Sequence, residues 1–156
     1  MSMAVLPELR WAQLPDAKPL AELEWRSAVY EQRRRPVCRN VQQLIEVWCE
    51  RIRQKTHSVM LAYLPEELTL VGMLSFAGSI VAGEINALYI EPDYLRQGVG
   101  TLLMRTAEQL TVLHGGKRLL VGVEPRNEGG FEFYKALGFI VDGVEPSGLT
   151  VMHKEI

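Results

Sequence analysis

The stretch from Glu84 to Met104 constrains the fold of this chain more than any other part of its sequence. Its first seven residues, Glu-Ile-Asn-Ala-Leu-Tyr-Ile, are typical of a β-strand, and a short loop opens at Pro92. Gly98 and Gly100 end that loop and lead directly into a segment with the apolar periodicity of an amphipathic helix. The sequence therefore predicts a strand, a glycine-containing loop and a helix in immediate succession.

This order of elements is suited to binding an anion. Glycine lets the backbone adopt unusual dihedral angles and approach a ligand closely. The first amides of a helix have no intrahelical acceptor and carry a partial positive charge, so a phosphate or diphosphate is the expected ligand. Arg96 adds a mobile positive charge at the rim of this site. The expected donors are the backbone amides of Gln97, Gly98, Val99, Gly100 and Thr101.

Two other phosphate-binding loops match the sequence less well. No Gly-x-x-x-x-Gly-Lys-Ser/Thr run is present. A dinucleotide-binding loop needs a third glycine three residues after Gly100, where this chain has Leu103. Such a loop also follows its strand at once, whereas seven residues separate Ile90 from Gly98. A Gly-x-Gly alone is equally compatible with a helix start that binds nothing, so the interpretation depends on a second motif.

That second motif is the segment Asn-Glu-Gly-Gly-Phe-Glu-Phe-Tyr-Lys-Ala-Leu-Gly-Phe over 127–139. Taken together, the two motifs resemble the GNAT superfamily of acetyl-CoA-dependent N-acetyltransferases. The family pattern Asn-x-x-Ala-x-x-Phe-Tyr-x-x-x-Gly-Phe has Gly130 here in place of its alanine. It is matched at Asn127, Phe133, Tyr134, Gly138 and Phe139.

The first family signature, Arg/Gln-x-x-Gly-x-Gly/Ala, is matched at Gly98 and Gly100. Its leading position holds Leu95, with Arg96 and Gln97 next along the chain. This departure weakens the case for a side-chain phosphate contact at 95 and leaves the backbone contacts unaffected.

The resemblance implies an α/β (α+β) fold with a central, mixed, mostly antiparallel and splayed sheet, flanked by helices on both faces. In the family, strands corresponding to 84–90 and 119–124 run parallel and then separate, and the first of them carries a bulge. The pantetheine arm of coenzyme A lies in the resulting cleft. The resemblance therefore implies that the arm bonds to the backbone of Leu88 and Ile90 and to the side chain of Asn127. Asn127 is also suited to a simple helix N-cap.

Acetyl transfer to an amine requires proton transfer at both ends, because a free alkylamine has a pKa of about 10.4 and a thiol of about 8.5. By the resemblance, Tyr134 is the general acid that protonates the departing sulfur; the alternative for Tyr134 is core packing. Glu84 is the candidate base, with ordered water as an equal alternative and Glu124 as a second choice. The expected oxyanion donor is a backbone amide near Tyr89 or Ile90.

The remaining sequence predicts further elements around these motifs. Asp16 and Asn40 are expected to cap the first two helices, and Trp11 and Trp48 are interpreted as core residues together with Trp25. Leu113 is expected on the buried side of the helix that Gly115 ends. Strands are predicted over 5–14, 58–64, 68–77, 119–123, 139–142 and 150–154, and helices over 17–33, from 41 to about 52 and over 128–136.

The length of 156 residues suits a single domain over 1–156, and a net charge of −2 gives no general attraction to nucleic acid or anionic membranes. No apolar run is long enough to span a bilayer, and the first residues do not look like a signal peptide. Cys38 and Cys49 are expected to be reduced thiols, and His57, His114 and His153 lack metal-site spacing. We therefore expect a cytoplasmic protein that uses no metal.

The sequence thus predicts an enzyme that moves an acetyl group from acetyl-CoA to a primary amine by direct attack in a ternary complex. The acceptor is left open between a small-molecule amine and a protein amino group, and a homodimer is one expected assembly, since dimers are common in the family. A catalytically inactive CoA-binding module is the first alternative. A nucleotide-binding α/β protein is the second.

Overall fold

Seven strands form a single sheet within the part of the chain that the computed structural model describes, residues 6–30 and 40–156. The order is β1-β2-β3-β4-β5-β7-β6, and every neighbouring pair is antiparallel except β4 and β5, which are parallel. The strands are β1 (Glu8–Trp11), β2 (His57–Leu64), β3 (Thr69–Ala77), β4 (Glu84–Ile90), β5 (Arg118–Val123), β6 (Ile140–Val144) and β7 (Thr150–Glu155).

Helices cover both faces of this sheet. Buried residues of α1 and α2, among them Leu20 and Trp48, pack with Leu61 and Met73 on one face. Buried residues of α3 and α4 form a second cluster with the other face. The helices are α1 (Ala17–Tyr30), α2 (Val41–Arg53), α3 (Val99–Leu113) and α4 (Glu128–Ala136). The mixed, mostly antiparallel sheet between helical layers confirms the predicted fold class.

Most predicted elements are confirmed, with shifted ends. Asn40 caps α2 by accepting a 2.9 Å hydrogen bond from the Gln43 amide, as expected. Asp16 has a different role from the predicted cap: its carboxylate accepts from the Arg10 guanidinium and the Gln13 amide. The predicted strand over 5–14 is reduced to the four residues of β1. The end of the predicted first helix, 31–33, and Cys38 lie outside the described residues.

Two burial predictions are wrong. Trp11 is 44% exposed, because β1 is a short strand at the edge of the sheet. Leu113 is 79% exposed. The buried stripe of α3 runs through Leu103, Ala107 and Thr111, and a residue two positions beyond Thr111 points to the opposite side of a helix.

The joint between β4 and β5 is short. Only Glu84 with Leu120 and Ile85 with Val121 are paired, although β4 continues to Ile90. Gly83 lies at this joint with φ of +67°, and its carbonyl accepts a 2.8 Å hydrogen bond from the Leu120 amide. A Cβ built on Gly83 would lie 2.0 Å from the Arg118 carbonyl oxygen. Glycine is therefore needed here both for its backbone conformation and for its lack of a side chain.

We expect Gly83→Ala to reduce the free energy of unfolding by about 3 kcal/mol or more, because left-handed strain and a backbone clash act together. Gly78→Ala is the matched control: it has φ of +73° and nothing within 4 Å of its added Cβ. It should cost only about 1 kcal/mol. Urea unfolding followed by circular dichroism measures both, and equal losses would contradict the role assigned to the β4–β5 joint.

Candidate functional site

The gap between β4 and β5 begins at a bulge. On β3, Ser75 lies opposite Ala87 and the next residue, Phe76, lies opposite Ile85. Asn86 is therefore an extra residue on β4. A bulge bends its strand and increases its twist. Here it coincides with the end of β4–β5 pairing at Ile85, so the strand separates from β5 where its register to β3 changes.

The bulge also changes which peptide groups face the gap. Peptide groups alternate between the two sides of a strand. The Gly83 carbonyl faces β5, whereas the Glu91 amide donates toward β3, to the Val71 carbonyl at 2.9 Å. In a regular strand, residues 83 and 91 are an even number of positions apart and would face the same side. They face opposite sides here because the extra residue, Asn86, shifts the alternation by one position. The peptide groups of Leu88 and Ile90 consequently face the gap.

The same alternation separates the two amides proposed for the oxyanion. The Tyr89 amide turns toward β3 together with that of Glu91, while the Ile90 amide faces the gap. Ile90 thus has the more suitable position of the two for a ligand in the gap.

The loop that follows β4 ends in two left-handed residues. Glu91 begins a 3₁₀ turn over Pro92–Tyr94, and further along Arg96 has φ of +62° and Gly98 has φ of +86°. The side chains of Arg96 and Gln97 are exposed; Gln97 folds back and donates to the Asp93 carbonyl at 3.1 Å. Two positive φ angles in three residues turn the chain sharply, so that α3 starts at Val99.

The start of α3 leaves a group of backbone donors available. Among the described residues, none accepts a hydrogen bond from the backbone amides of residues 97–101. The next amide along the chain, that of Leu102, donates to the Gly98 carbonyl at 3.0 Å. Gly98 is the N-cap residue of α3, and because it has no side chain it cannot accept a hydrogen bond from these amides as other capping residues do. The group is the amide set of Gln97, Gly98, Val99, Gly100 and Thr101, the same set that the sequence indicates.

Close packing holds this first turn in place. A Cβ on Gly72 of β3 would lie 2.9 Å from the Val99 side chain, so α3 crosses directly over β3 at that point. A Cβ on Gly100 would lie 3.3 Å from Phe133 and 3.7 Å from Ile90. Gly100 therefore marks the place where the end of β4, the start of α3 and the middle of α4 meet.

Asn127 begins α4 and caps it. Its Oδ1 accepts a 2.9 Å hydrogen bond from the Gly130 amide. A Cβ on Gly130 would lie 2.4 Å from the Asn127 Nδ2, so the glycine leaves room for the capping side chain. The Asn127 amide group has no acceptor among the described residues, so its donors remain available to a ligand.

Tyr134 lies in the buried cluster between the sheet and the α3–α4 layer. Its ring meets Phe133 edge-on at 5.3 Å between centroids and Phe139 at 5.5 Å. Packing thus fixes the ring, and the role of its hydroxyl as general acid stays a prediction.

The candidate bases lie elsewhere. Glu84 is exposed at the closed end of the β4–β5 gap, next to Ile85, which is buried in the same cluster as Tyr134. Side chains alternate along a strand, so Glu84 faces the α1–α2 side of the sheet and Tyr134 the other side. Glu124 is exposed just after β5, beside a groove of about 330 Å³ that Asn127, Glu128 and Phe131 also line.

The resemblance implies a bulge in β4 without giving its position, which the structure places at Asn86, and sequence reasoning missed an ion pair next to the loop. Arg26 of α1 donates to the Glu91 carboxylate, with Nη2 2.8 Å from Oε2. Neither the position of the bulge nor the ion pair has a local signal, because a bulge depends on the register of the neighbouring strand and the ion pair joins residues 65 positions apart.

Across residues 6–30 and 40–156, no three or more His, Cys, Asp or Glu side chains are grouped so that they could hold a metal ion. In the same ranges, no helix has both the length and the apolar character needed to cross a membrane.

Comparisons with known proteins agree with this geometry. A structure of PaiA N-acetyltransferase from Thermoplasma acidophilum in complex with coenzyme A superposes with a TM-score of 0.81 over 97% of this chain and 100% of that one, at 21% identity. That likeness shows the fold.

Two sequence relatives match over shorter stretches. An uncharacterized N-acetyltransferase of Methanocaldococcus jannaschii is 41% identical over 58 residues, 36% of this chain and 25% of the relative. A spermidine N(1)-acetyltransferase of Thermoplasma acidophilum is 29% identical over 86 residues, 55% of this chain and 53% of the relative. The matches thus span a quarter and about half of the two relatives' lengths.

The Acetyltransferase (GNAT) family matches this sequence over residues 18–139, which include the whole of the gap, the glycine loop and α4. The chain belongs to the GNAT acetyltransferase family.

Proposed function

We propose that this protein transfers an acetyl group from acetyl-CoA to a primary amine, by direct attack in a ternary complex. The observation that carries the proposal is the set of backbone amides at 97–101, which have no acceptor among the described residues and adjoin the open side of β4. A diphosphate is the ligand such a set favours.

The donor molecule matches the rest of the gap as well. Pantetheine contains amides, and the Leu88 and Ile90 peptide groups face the gap and can pair with them as a neighbouring strand would. The Asn127 amide group supplies a further donor. Coenzyme A is also the ligand of the structurally similar Thermoplasma acidophilum protein, which supports the choice of donor.

In the proposed reaction the neutral amine attacks the thioester carbonyl carbon, a C–N bond forms and the C–S bond breaks. Tyr134 gives its proton to the departing sulfur, and the ammonium proton leaves to Glu84 or to ordered water. The Ile90 amide donates to the oxygen that gains charge.

The acceptor is a small-molecule amine or a protein amino group. The relative that acetylates spermidine makes polyamines a sensible first test. The exposed carboxylates Glu124, Glu128 and Glu132 around the 330 Å³ groove would also attract a cationic amine. We place the reaction in the cytoplasm, and a homodimer is a further part of the proposal.

The direct test incubates the purified chain with acetyl-CoA and a panel of amines, with free thiol measured as the product. Thiol release that depends on one or more amines supports the proposal. Tight CoA binding without turnover on any amine would instead favour the inactive CoA-binding module. Thermal stabilisation by a dinucleotide in preference to CoA would favour the nucleotide-binding alternative.

We expect Gly98→Ala to weaken CoA binding by about tenfold or more, because a side chain at this loop position disturbs amides that must meet the diphosphate. Gly115→Ala is the matched control at the other end of α3. Both glycines have φ near +90° and nothing within 4 Å of an added Cβ, so both substitutions should cost about 1 kcal/mol of stability. Calorimetric titration with CoA separates them; equal affinities would argue against the loop as the diphosphate site.

We expect Tyr134→Phe to lower kcat by about 10²-fold or more with little change in CoA affinity, since the ring packing is kept and only the proton donor is lost. Steady-state thiol release and calorimetry measure the two quantities. An unchanged kcat in the folded variant would remove Tyr134 from the mechanism.

Two variants, Glu84→Gln and Glu124→Gln, are compared with the wild type to identify the base. A drop of about 10²-fold in kcat in only one of them identifies that carboxylate as the base. Retention of activity in both assigns the step to ordered water.

A further inference from the structure

The Arg26–Glu91 ion pair joins α1 to the residue that follows β4. Nε of Arg26 lies 3.1 and 3.0 Å from the two carboxylate oxygens of Glu91, and Nη2 lies 2.8 Å from Oε2. Two guanidinium nitrogens therefore engage one carboxylate, an arrangement that fixes orientation as well as distance. The Glu91 side chain is only 16% exposed, so it is held against the protein surface.

The backbone of Glu91 makes one hydrogen bond to β3 and one to the turn that follows β4. Its amide donates to the Val71 carbonyl of β3 at 2.9 Å, and its carbonyl accepts from the Tyr94 amide at 2.8 Å. The first bond ends the pairing of β4 with β3, and the second opens the turn that leads to Arg96 and Gly98. The direction in which the loop leaves the sheet is thus set at Glu91.

Within the described residues, the other hydrogen bonds from the 92–95 turn are long, although Tyr94 also packs against the core. The Leu95 amide meets the Pro92 carbonyl at 3.4 Å, and the Tyr94 hydroxyl meets the Glu67 carboxylate at 3.5 Å, both at the limit for a hydrogen bond. The loop also holds left-handed Arg96, a conformation that costs energy and persists only when its surroundings impose it. Among residues 6–30 and 40–156, the shortest side-chain bond from this loop to a distant element is the one between Arg26 and Glu91.

The charge of the pair matters for the same ligand. A lone carboxylate at the base of an anion-binding loop would oppose a diphosphate, and Arg26 neutralises it. Removing Arg26 therefore has two consequences: the loop loses its attachment to α1, and a negative charge is left uncompensated.

We propose that Arg26 and Glu91 are positioning residues for the donor site: their ion pair sets the 91–98 loop so that the 97–101 amides meet the diphosphate of CoA. This inference rests on the proposed function. It also links α1, which packs on the opposite face of the sheet from α3, to the binding of the donor.

The chain offers a matched control pair. Arg10 and Asp16 also form a bidentate ion pair, with both nitrogen–oxygen distances at 2.8 Å. Their side chains are 48% and 11% exposed, against 47% and 16% for Arg26 and Glu91. Arg10 and Asp16 tie β1 to the turn before α1, at the far edge of the sheet from β5. Breaking this control pair tests what loss of an equivalent ion pair does to the protein in general.

The experiment measures CoA affinity by calorimetry, and KM for acetyl-CoA and kcat by thiol release, for the wild type, Arg26→Ala, Glu91→Gln, Arg26→Lys and Arg10→Ala. We expect Arg26→Ala to raise the CoA Kd and the acetyl-CoA KM about 5-fold or more with kcat nearly unchanged. Glu91→Gln should give a smaller rise, because it leaves no unpaired carboxylate, and Arg26→Lys should recover part of the loss. Arg10→Ala should stay within about 2-fold of the wild type.

Three results would overturn the inference. Equal effects of Arg26→Ala and Arg10→Ala would show a general loss of stability, and no effect of Arg26→Ala would show that the loop needs no such attachment. A fall in kcat without a change in KM or Kd would place Arg26 in another role. A wild-type protein that binds no CoA would overturn the proposed function itself, and that result is read before any variant is compared.

Discussion

The separation of β4 from β5 is the constraint on which the site depends. A strand inside a sheet normally has both edges paired, and unpaired backbone groups in a protein interior need partners. β4 keeps β3 along its length and loses β5 after Ile85. Gly83 allows the close approach that starts the parallel pair, and Asn86 ends it by changing the register. Backbone hydrogen-bonding groups are therefore exposed along one edge, inside a folded domain, where a ligand rich in amides can replace the missing strand.

Glycines set how closely the surrounding elements approach this edge. Gly72 lets the first turn of α3 lie on β3, and Gly100 lets it lie against Phe133 and Ile90. Each contact brings the free amides at 97–101 nearer to the open end of the gap. The anion-binding capacity of a helix start is general; its placement beside an unpaired strand edge is what makes the arrangement suited to a molecule with a diphosphate at one end and amides along its length.

The sequence predicts the local elements well and their long-range relations only through the resemblance. The Asn40 cap, the strands β2 and β3 and the span of α4 follow from capping residues and periodicity. The donor amides follow from two glycines before a helix. The bulge at Asn86 does not, because it is a property of the pairing with β3. Nor does the Arg26–Glu91 pair, because surface arginines and glutamates are common and nothing local says which will meet. Trp11 shows the converse: aromatic character predicts burial, and an edge position overrides it.

The two faces of the sheet bear on the choice of mechanism. Tyr134 belongs to the α3–α4 side of the sheet and Glu84 to the α1–α2 side, and the pairing of β4 with β5 ends one residue after Glu84, at Ile85. In the proposed reaction, the amine and the thioester would have to meet where the two strands separate, beyond Ile85. Direct attack, as proposed, needs no covalent acyl-enzyme and therefore no nucleophilic side chain in the gap. Cys49, the free thiol among the described residues, packs between α2 and the α1 side, so it belongs to the helical layer rather than to the gap.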